Sequence, residues 1–390
     1  PSFGPAVIGR VLEAGGYRVG IMPQPDWRRR EEFQRFGRPR LFFGVTAGNL
    51  DSMVANYSPQ RRPRREDVYS PGGRPGRPDR ATLVYSAGIR GCYRDVPIVL
   101  GGIEASLRRF AHYDYWDDRV RQSVLADSPA NILVYGMGER QVLEIAGRLA
   151  GGEGIEAIRD IQGTVVKARD PPEGGLELPS FQEASSDKGA YARAWRYQEN
   201  GEKLFQRHPK TIVEQNSPLP PMPPEELDRI YELPYTRRSH PSYLEEVPAL
   251  KPVQFSITTH RGCFGSCSFC ALTVHQGRIV QSRSKASILR EARALTRHPD
   301  FRGVIQDVGG PTANMYTLSC EMQRRGRTCK DRLCLFPAIC ENLETDHGNL
   351  IGLLRELRAV KGVRHVFVGS GVRYDLALED QAYLLELCRY

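Results

Sequence analysis

Three cysteines, Cys263, Cys267 and Cys270, lie in the stretch Thr259-His260-Arg261-Gly262-Cys263-Phe264-Gly265-Ser266-Cys267-Ser268-Phe269-Cys270. It follows directly on Val253 to Thr258, a run that reads as a β-strand. No other feature constrains the fold as strongly, because a strand must end there and a tight loop must gather its thiols at that strand's carboxyl end. Gly262 and Gly265 let such a loop turn without Cβ clashes. Three thiolates on one loop can hold three irons of a [4Fe–4S] cluster, whose natural ligands are thiolates. The fourth iron is then left without a protein ligand, as a reactive cluster requires. Zinc is the competing metal. Structural zinc sites close with four ligands, commonly in two separated pairs, and His260 or His275 would have to complete the set at an untypical spacing. A third reading, buried thiols that bind nothing, fits poorly with a segment so rich in Gly and Ser.

The nine cysteines are odd in number, and the opening PSFGPAVIGR shows no basic stretch leading into an apolar one. Metal or redox chemistry is therefore expected rather than a disulfide framework. Cys92 and Cys388 stand alone, whereas Cys320, Cys329, Cys334 and Cys340 form a second, looser group. Four thiolates there could complete an auxiliary iron–sulfur cluster or a zinc site, and three could leave an open iron. Arg324, Arg325, Arg327, Lys330 and Arg332 lie among them and favour the thiolate form. Independent buried thiols are the plain alternative.

With 40% hydrophobic and 26% charged residues, the 390-residue chain has ordinary globular composition. That excludes collagen-like, disordered and coiled-coil readings of the whole, and the length suggests about two or three domains. No apolar run approaches the ~18 residues of a spanning helix, so a cytoplasmic protein without a membrane partner is expected. The chain lacks an initiator Met and stops at Cys388-Arg389-Tyr390 in a helix-like segment, which suggests a fragment cut at both ends. The formal charge of +9 concentrates at Arg28 to Arg30, Arg61 to Arg65, and Arg74, Arg77 and Arg80. Such clusters are usually a solvated face. They leave a nucleic-acid partner open, but no recognisable RNA-binding module accompanies them.

Residues 1–165 alternate short apolar runs with helical patterns, the signature of a Rossmann-like α/β domain with a doubly wound parallel sheet. Strands are predicted at Tyr17 to Met22, Leu41 to Thr46, Val96 to Leu100 and Ile132 to Tyr135, and helices at Ala6 to Ala14 and from Glu139 to about Leu149. The runs are too uniformly apolar for a sheet with one wet face. Residues ~55 to 80 read as an exposed excursion. Ten prolines between residues 209 and 252 mark 166–250 as a connecting region of extended chain, with one helix around Tyr191 to Gln206. Regular structure resumes in 251–390. After the strand at Val253 to Thr258 come a helix at Ser287 to Leu295, a strand at Gly303 to Val308, a helix near Leu350 to Val360, a strand at His365 to Val368 and a last helix from Leu378.

The CxxxCxxC loop after a strand, with aromatic Phe269 before the last cysteine, resembles the radical S-adenosylmethionine superfamily. In it S-adenosylmethionine chelates the fourth iron, and one electron from the reduced cluster breaks the S–C5′ bond. Methionine and a hydrogen-abstracting 5′-deoxyadenosyl radical result. The resemblance implies a [4Fe–4S] cluster on Cys263, Cys267 and Cys270, and S-adenosylmethionine contacts from Phe269, Gly309 and Gly310. The last two stand in Asp307-Val308-Gly309-Gly310-Pro311-Thr312, where members often carry Gly-Gly-Glu and this chain has Pro311.

FFGVTAGNLDSMV, RPDRATLVYS, VLGGIEASLRRFAHYDYWDD, CFGSCSFCAL, DVGGPTANMY and GSGVRYD further resemble the uncharacterised YgiQ-type group. The implied architecture is an N-terminal cobalamin-binding-like sheet followed by a partial (β/α) barrel truncated at its C-terminus. The implied partners are an unknown substrate and an electron donor such as flavodoxin or ferredoxin. No Asp-x-His-x-x-Gly is present to supply a lower axial imidazole, so a bound corrinoid is not expected. Gly101 to Ser106 and Gly136 to Glu139 read as strand-end turns or as a substrate crevice, and Phe110 to Asp118 as a packing loop or a pocket wall. A non-catalytic iron–sulfur electron carrier or redox sensor is the alternative function, and a zinc scaffold a third.

Overall fold

The structure, a computed structural model, describes residues 3–198 and 202–390. The chain forms two compact units, Pro1–Leu219 with His240–Pro248, and Pro220–Ser239 with Ala249–Tyr390.

The first unit is built on a seven-stranded sheet. Its spatial order is Phe43–Val45, Ile98–Leu100, Ile132–Val134, Thr164–Ala168, Ile212–Gln215, Leu204–Arg207, Leu176–Glu177. The first three strands pair in parallel. Ile98–Leu100 and Ile132–Val134 are buried along their whole length, as parallel interior strands covered on both faces must be. Thr164–Ala168 then joins antiparallel on both its edges, and Leu204–Arg207 pairs antiparallel with Ile212–Gln215. The sheet is thus mixed rather than parallel throughout. Three of its strands lie in the stretch where prolines suggested plain extended chain, and Thr164–Ala168 runs into it. Those prolines sit between strands, as Pro209 does in the turn of the Leu204–Arg207/Ile212–Gln215 hairpin, where a missing N–H interrupts no ladder.

The helix predicted over Tyr191 to Gln206 falls partly on residues outside those described. Before them lies the helix Lys188–Gln198, and after them the strand Leu204–Arg207. Tyr17 to Met22 is not a strand. Tyr17 and Val19 pack between the helices Phe3–Ala14 and Glu139–Ala150 instead of pairing with a sheet edge. The segment between residues 55 and 80 is exposed for much of its length but is fastened at its middle by a buried Arg77–Asp67 ion pair, and Arg77 also donates to the carbonyl of Ala47. Arg80 pairs with Asp114 and Asp117 at 2.8 Å and Arg74 with Glu245, so much of the positive excess is engaged within the unit. The buried Glu104 carboxylate accepts from the backbone N–H and hydroxyl of both Ser52 and Thr82, at 2.6 to 3.0 Å. That explains the acidic residue in Gly101-Gly102-Ile103-Glu104. His112–Asp114 forms a hairpin with Arg119–Arg121.

His208 stacks on Phe181, and neither of its ring nitrogens has a hydrogen-bond partner. Burial pushes its imidazole from 6.5 down to about 4. Between those values the unfolded chain binds a proton that the folded chain refuses, so stability falls as pH falls. The cost at pH 5 is on the order of 2 kcal/mol. Denaturant titrations of the wild type and His208→Phe at pH 5 and pH 8 should show the variant losing less stability on acidification. Equal losses would contradict this account.

The second unit holds three short strand pairs. Ile257–Thr258 pairs in parallel with Val308–Gly309, Val304–Ile305 in parallel with His365–Val366, and His260–Arg261 antiparallel with Gln281–Ser282. The extended segment from Val304 to Gly309 therefore has a parallel neighbour on each side. The helices Lys285–Leu295 and Gly348–Arg358 cover these strands, with Ile288, Ala292, Leu353, Leu354 and Leu357 packed on Ile257, Ile305, Val308 and Val366. These are two strand–helix–strand steps. The strands are shorter than predicted because side chains take over backbone contacts. Gln306 accepts from the N–H of Phe255, and Asp307 accepts from the N–H groups of Gly369 and Ser370. Among the described residues no helix is long and apolar enough to cross a membrane.

Candidate iron–sulfur site

The parallel register Ile257↔Val308 and Thr258↔Gly309 makes the segments after Thr258 and after Gly309 leave the sheet at the same end. The thiol loop and the Gly-Gly segment are adjacent for that reason. The thiol loop is closed at its base by the His260–Arg261/Gln281–Ser282 pair. Gly262 turns there with φ +80, donating its N–H to Gln276 Oε1 at 3.0 Å, and Cys263 N–H donates to the carbonyl of Gly277 at 3.1 Å.

Cys263 is 7% exposed and packs with Phe264, Met315 and Leu318. Its Sγ is 3.4 Å from Thr312 Oγ1 and accepts the N–H of Gly265 at 3.4 Å. Cys267 Sγ accepts a guanidinium N–H of Arg373 at 3.4 Å. A Cβ at position 265 would stand 3.3 Å from Cys263 Sγ and 3.8 Å from Cys267 Sγ. Two sulfurs thus flank a position that carries no side chain. Cys270 precedes the helix Ala271–Gln276 and donates its N–H to the carbonyl of Cys267 at 3.0 Å.

Among the described residues no three His, Cys, Asp or Glu side chains are already arranged around a metal-ion position. Two buried hydroxyls around the loop lack a protein partner, Ser266 Oγ and Thr273 Oγ1. The Phe269 ring is 90% exposed. Orphaned buried polar groups are costly unless something satisfies them, and these fit a bound polar group.

Gly309 and Gly310 lie against neighbouring chain. A Cβ at 310 would meet the carbonyl oxygen of His260 at 2.7 Å and its Nε2 at 2.8 Å, and one at 309 would meet Ser370 Oγ at 2.9 Å. His260 hydrogen-bonds Thr259 Oγ1 through Nδ1 at 2.8 Å, and burial pushes its imidazole down to about 4, which keeps it neutral.

Arg373 was not singled out from the sequence. It lies within GSGVRYD, as Thr312 lies within DVGGPTANMY, but nothing in a string shows which residue will face a sulfur 106 positions away. The Asp375 carboxylate accepts from Arg373 Nε at 3.0 Å, and this contact holds its carboxyl below the ordinary range. In the second cysteine group, Cys320, Cys329 and Cys334 line one concavity, and Cys340 N–H donates to the carbonyl of Cys334 at 2.9 Å.

Fold and loop together define an α/β protein that presents three thiols beside a Gly-Gly segment at strand ends. A family model described as Radical SAM N-terminal matches residues 1–256, and the chain belongs to that family. Its relatives are the YgiQ-type UPF0313 proteins. That of Methanocella arvoryzae is 57% identical over 398 residues, covering 100% of this chain and 66% of the relative. That of Methanosarcina mazei is 53% identical over 433 residues, with 100% and 69% covered, and one from Clostridium botulinum is 48% identical over 403 residues, with 100% and 63% covered. The chain therefore spans about two thirds of the length of these relatives.

Two solved structures of TsrM, a radical S-adenosylmethionine methyltransferase from Kitasatospora setae, also resemble it. One, with cobalamin and a [4Fe–4S] cluster bound, gives a TM-score of 0.49 at 18% identity over 99% of this chain and 64% of that chain. The other, with tryptophan substrate and a S-adenosylmethionine analog, gives 0.43 at 20% identity over 79% and 44%. Both likenesses are too loose to define a shared fold.

Proposed function

We propose that this chain is the catalytic part of a radical S-adenosylmethionine enzyme acting on an unidentified substrate, with its second unit as the beginning of a (β/α) barrel. Cys263, Cys267 and Cys270 would hold three irons of a [4Fe–4S] cluster. The observation that carries the reading is the pair of sulfurs flanking Gly265, on a loop next to the Gly-Gly segment. When bound, the cluster and S-adenosylmethionine supply a hydrogen-abstracting 5′-deoxyadenosyl radical, given one electron from a flavodoxin- or ferredoxin-type donor.

The protein's own residues have separate tasks. The Arg373 guanidinium, fixed by Asp375, donates to Cys267 Sγ and offsets thiolate charge. The carbonyl of Gly310 is the acceptor for an amino group, with that of Gly309, which already accepts the N–H of Thr259 at 2.8 Å, beside it, and the exposed Phe269 ring is the apolar surface for an adenosine. Neutral His260 packs its ring beside Gly310.

The test is anaerobic reconstitution of the chain, reduction with dithionite and addition of S-adenosylmethionine. Mass spectrometry should then detect 5′-deoxyadenosine, and the paramagnetic signal of the reduced cluster should change on addition. An unchanged signal with no 5′-deoxyadenosine would overturn the proposal and favour an electron carrier or redox sensor.

A further inference from the structure

Residues 325–347 contain no helix or strand, although regular elements bound them on both sides. Loops longer than ~12–15 residues without their own structure are uncommon in compact domains and need some other fastening. The apolar anchors of this segment are Leu335 and Leu343, buried in one cluster with Ile339 packed against it, while Leu333 is 40% and Phe336 71% exposed. Three of the four cysteines in and beside this loop, Cys320, Cys329 and Cys334, surround one shallow concavity. Cys340 is tied to the same turn by its N–H bond to the carbonyl of Cys334. All four are unpaired thiols.

Independent observations on other side chains point the same way. Gln323 lines the concavity and is buried, and its Nε2 donates to Cys334 Sγ at 3.6 Å. Arg278 also lines it. Its terminal nitrogens donate to the carbonyls of Cys329 and Arg332 at 3.2 and 3.1 Å, while its buried Nε has no partner. Arg327 adds a second guanidinium to the lining. A concavity that gathers three thiols between two guanidiniums suits a metal centre whose thiolate ligands give it net negative charge.

We infer that Cys320, Cys329, Cys334 and Cys340 ligate a second iron–sulfur cluster, fully cysteine-coordinated, that cross-links this loop. On binding, the four thiols release their protons to solvent and each sulfur takes one iron. Four thiolates give such a cluster a net negative charge, which Arg278 and Arg327 offset. The spacing Cys320-x8-Cys329-x4-Cys334-x5-Cys340 lacks the two separated ligand pairs common in structural zinc sites, which favours a cluster over a single zinc ion. With every iron ligated the cluster has no open position for S-adenosylmethionine, so its roles are to fasten the loop and to hold an electron. Cys334 and Cys340 pack on the same apolar cluster as Cys263 and Phe264, which makes it a neighbour of the proposed first site.

The inference does not depend on the chemistry proposed for Cys263, Cys267 and Cys270, and the test separates the two. The whole chain, the triple variant C263A/C267A/C270A and the double variant C329A/C334A are reconstituted anaerobically with ferrous iron and sulfide. Iron, sulfide and zinc are then measured, and the reduced samples are examined by electron paramagnetic resonance. The whole chain should carry two clusters. The triple variant should keep one, with a signal that S-adenosylmethionine leaves unchanged and with slower tryptic cleavage at Arg325, Arg327, Lys330 and Arg332 than before reconstitution. The double variant should lose that signal and keep the other. A triple variant without iron and sulfide, or with zinc in their place, overturns the inference whether or not the double variant folds.

Discussion

Alanine at Cys263, Cys267 or Cys270, one at a time, is expected to abolish S-adenosylmethionine cleavage and to strip the first cluster during desalting. Each cysteine owns one iron in the proposed arrangement, and a cubane held by two thiolates has two bare irons open to water and chelators. The three variants should be alike in that loss but unlike in stability. Cys263 is buried with Phe264, Met315 and Leu318, so removing its sulfur should cost the apo-protein about 1 kcal/mol. Cys267 and Cys270 are half-buried, and alanine there should leave apo-stability nearly unchanged. Absorbance of the reconstituted samples and thermal melts of the metal-free ones would check both halves. Normal 5′-deoxyadenosine yield from any single variant would remove that residue from the ligand set.

Gly262→Ala should be the most destabilising single change in the loop. A Cβ at 262 would lie 2.0 Å from the carbonyl oxygen of Ile279, a backbone atom that no rotamer change can move, and φ is +80. Left-handed strain costs on the order of 1–3 kcal/mol, and forced displacement of packed backbone adds typically 1–3 kcal/mol. The loop would have to reopen its antiparallel base at His260–Arg261/Gln281–Ser282. Denaturant unfolding should show a loss of about 4 kcal/mol, and cluster retention should fall although all three cysteines remain. Gly91→Ala is the control, because nothing lies within 4 Å of a Cβ there. Equal stability of the two variants would show that the loop is not held as described.

Cys263, Cys267 and Cys270 could be read from sequence because the chemistry demands three thiols at short spacing after a strand, and local spacing is what a sequence displays. The core helices were legible for a similar reason. Glu139–Ala150 and Gly348–Arg358 carry apolar residues on one face, which any helical count reveals. Leu204–Arg207 and Ile212–Gln215 were hidden by the prolines around them, since a proline count does not say whether Pro209 interrupts a strand or turns a hairpin. Strand pairing across dozens of residues, such as Val165↔Gln215, leaves no local trace. Arg373 was invisible for the same reason. Its partner in sequence is Asp375, and its approach to Cys267 exists only once the Val304 to Gly309 segment has brought the two ends together.

The chain enters the second unit at Pro220, goes back to the first at His240 and departs again at Ala249. No single cut can therefore yield either unit whole. A polypeptide begun at residue 251 would lack Asp228, whose carboxylate accepts the N–H of Ser284 at 2.9 Å, and Tyr231, whose hydroxyl accepts from Arg261 at 3.0 Å. It would carry every cysteine of the loop on a base stripped of its braces. Excision of the second unit for study should start upstream of Pro220 and replace residues 240–248 with a linker.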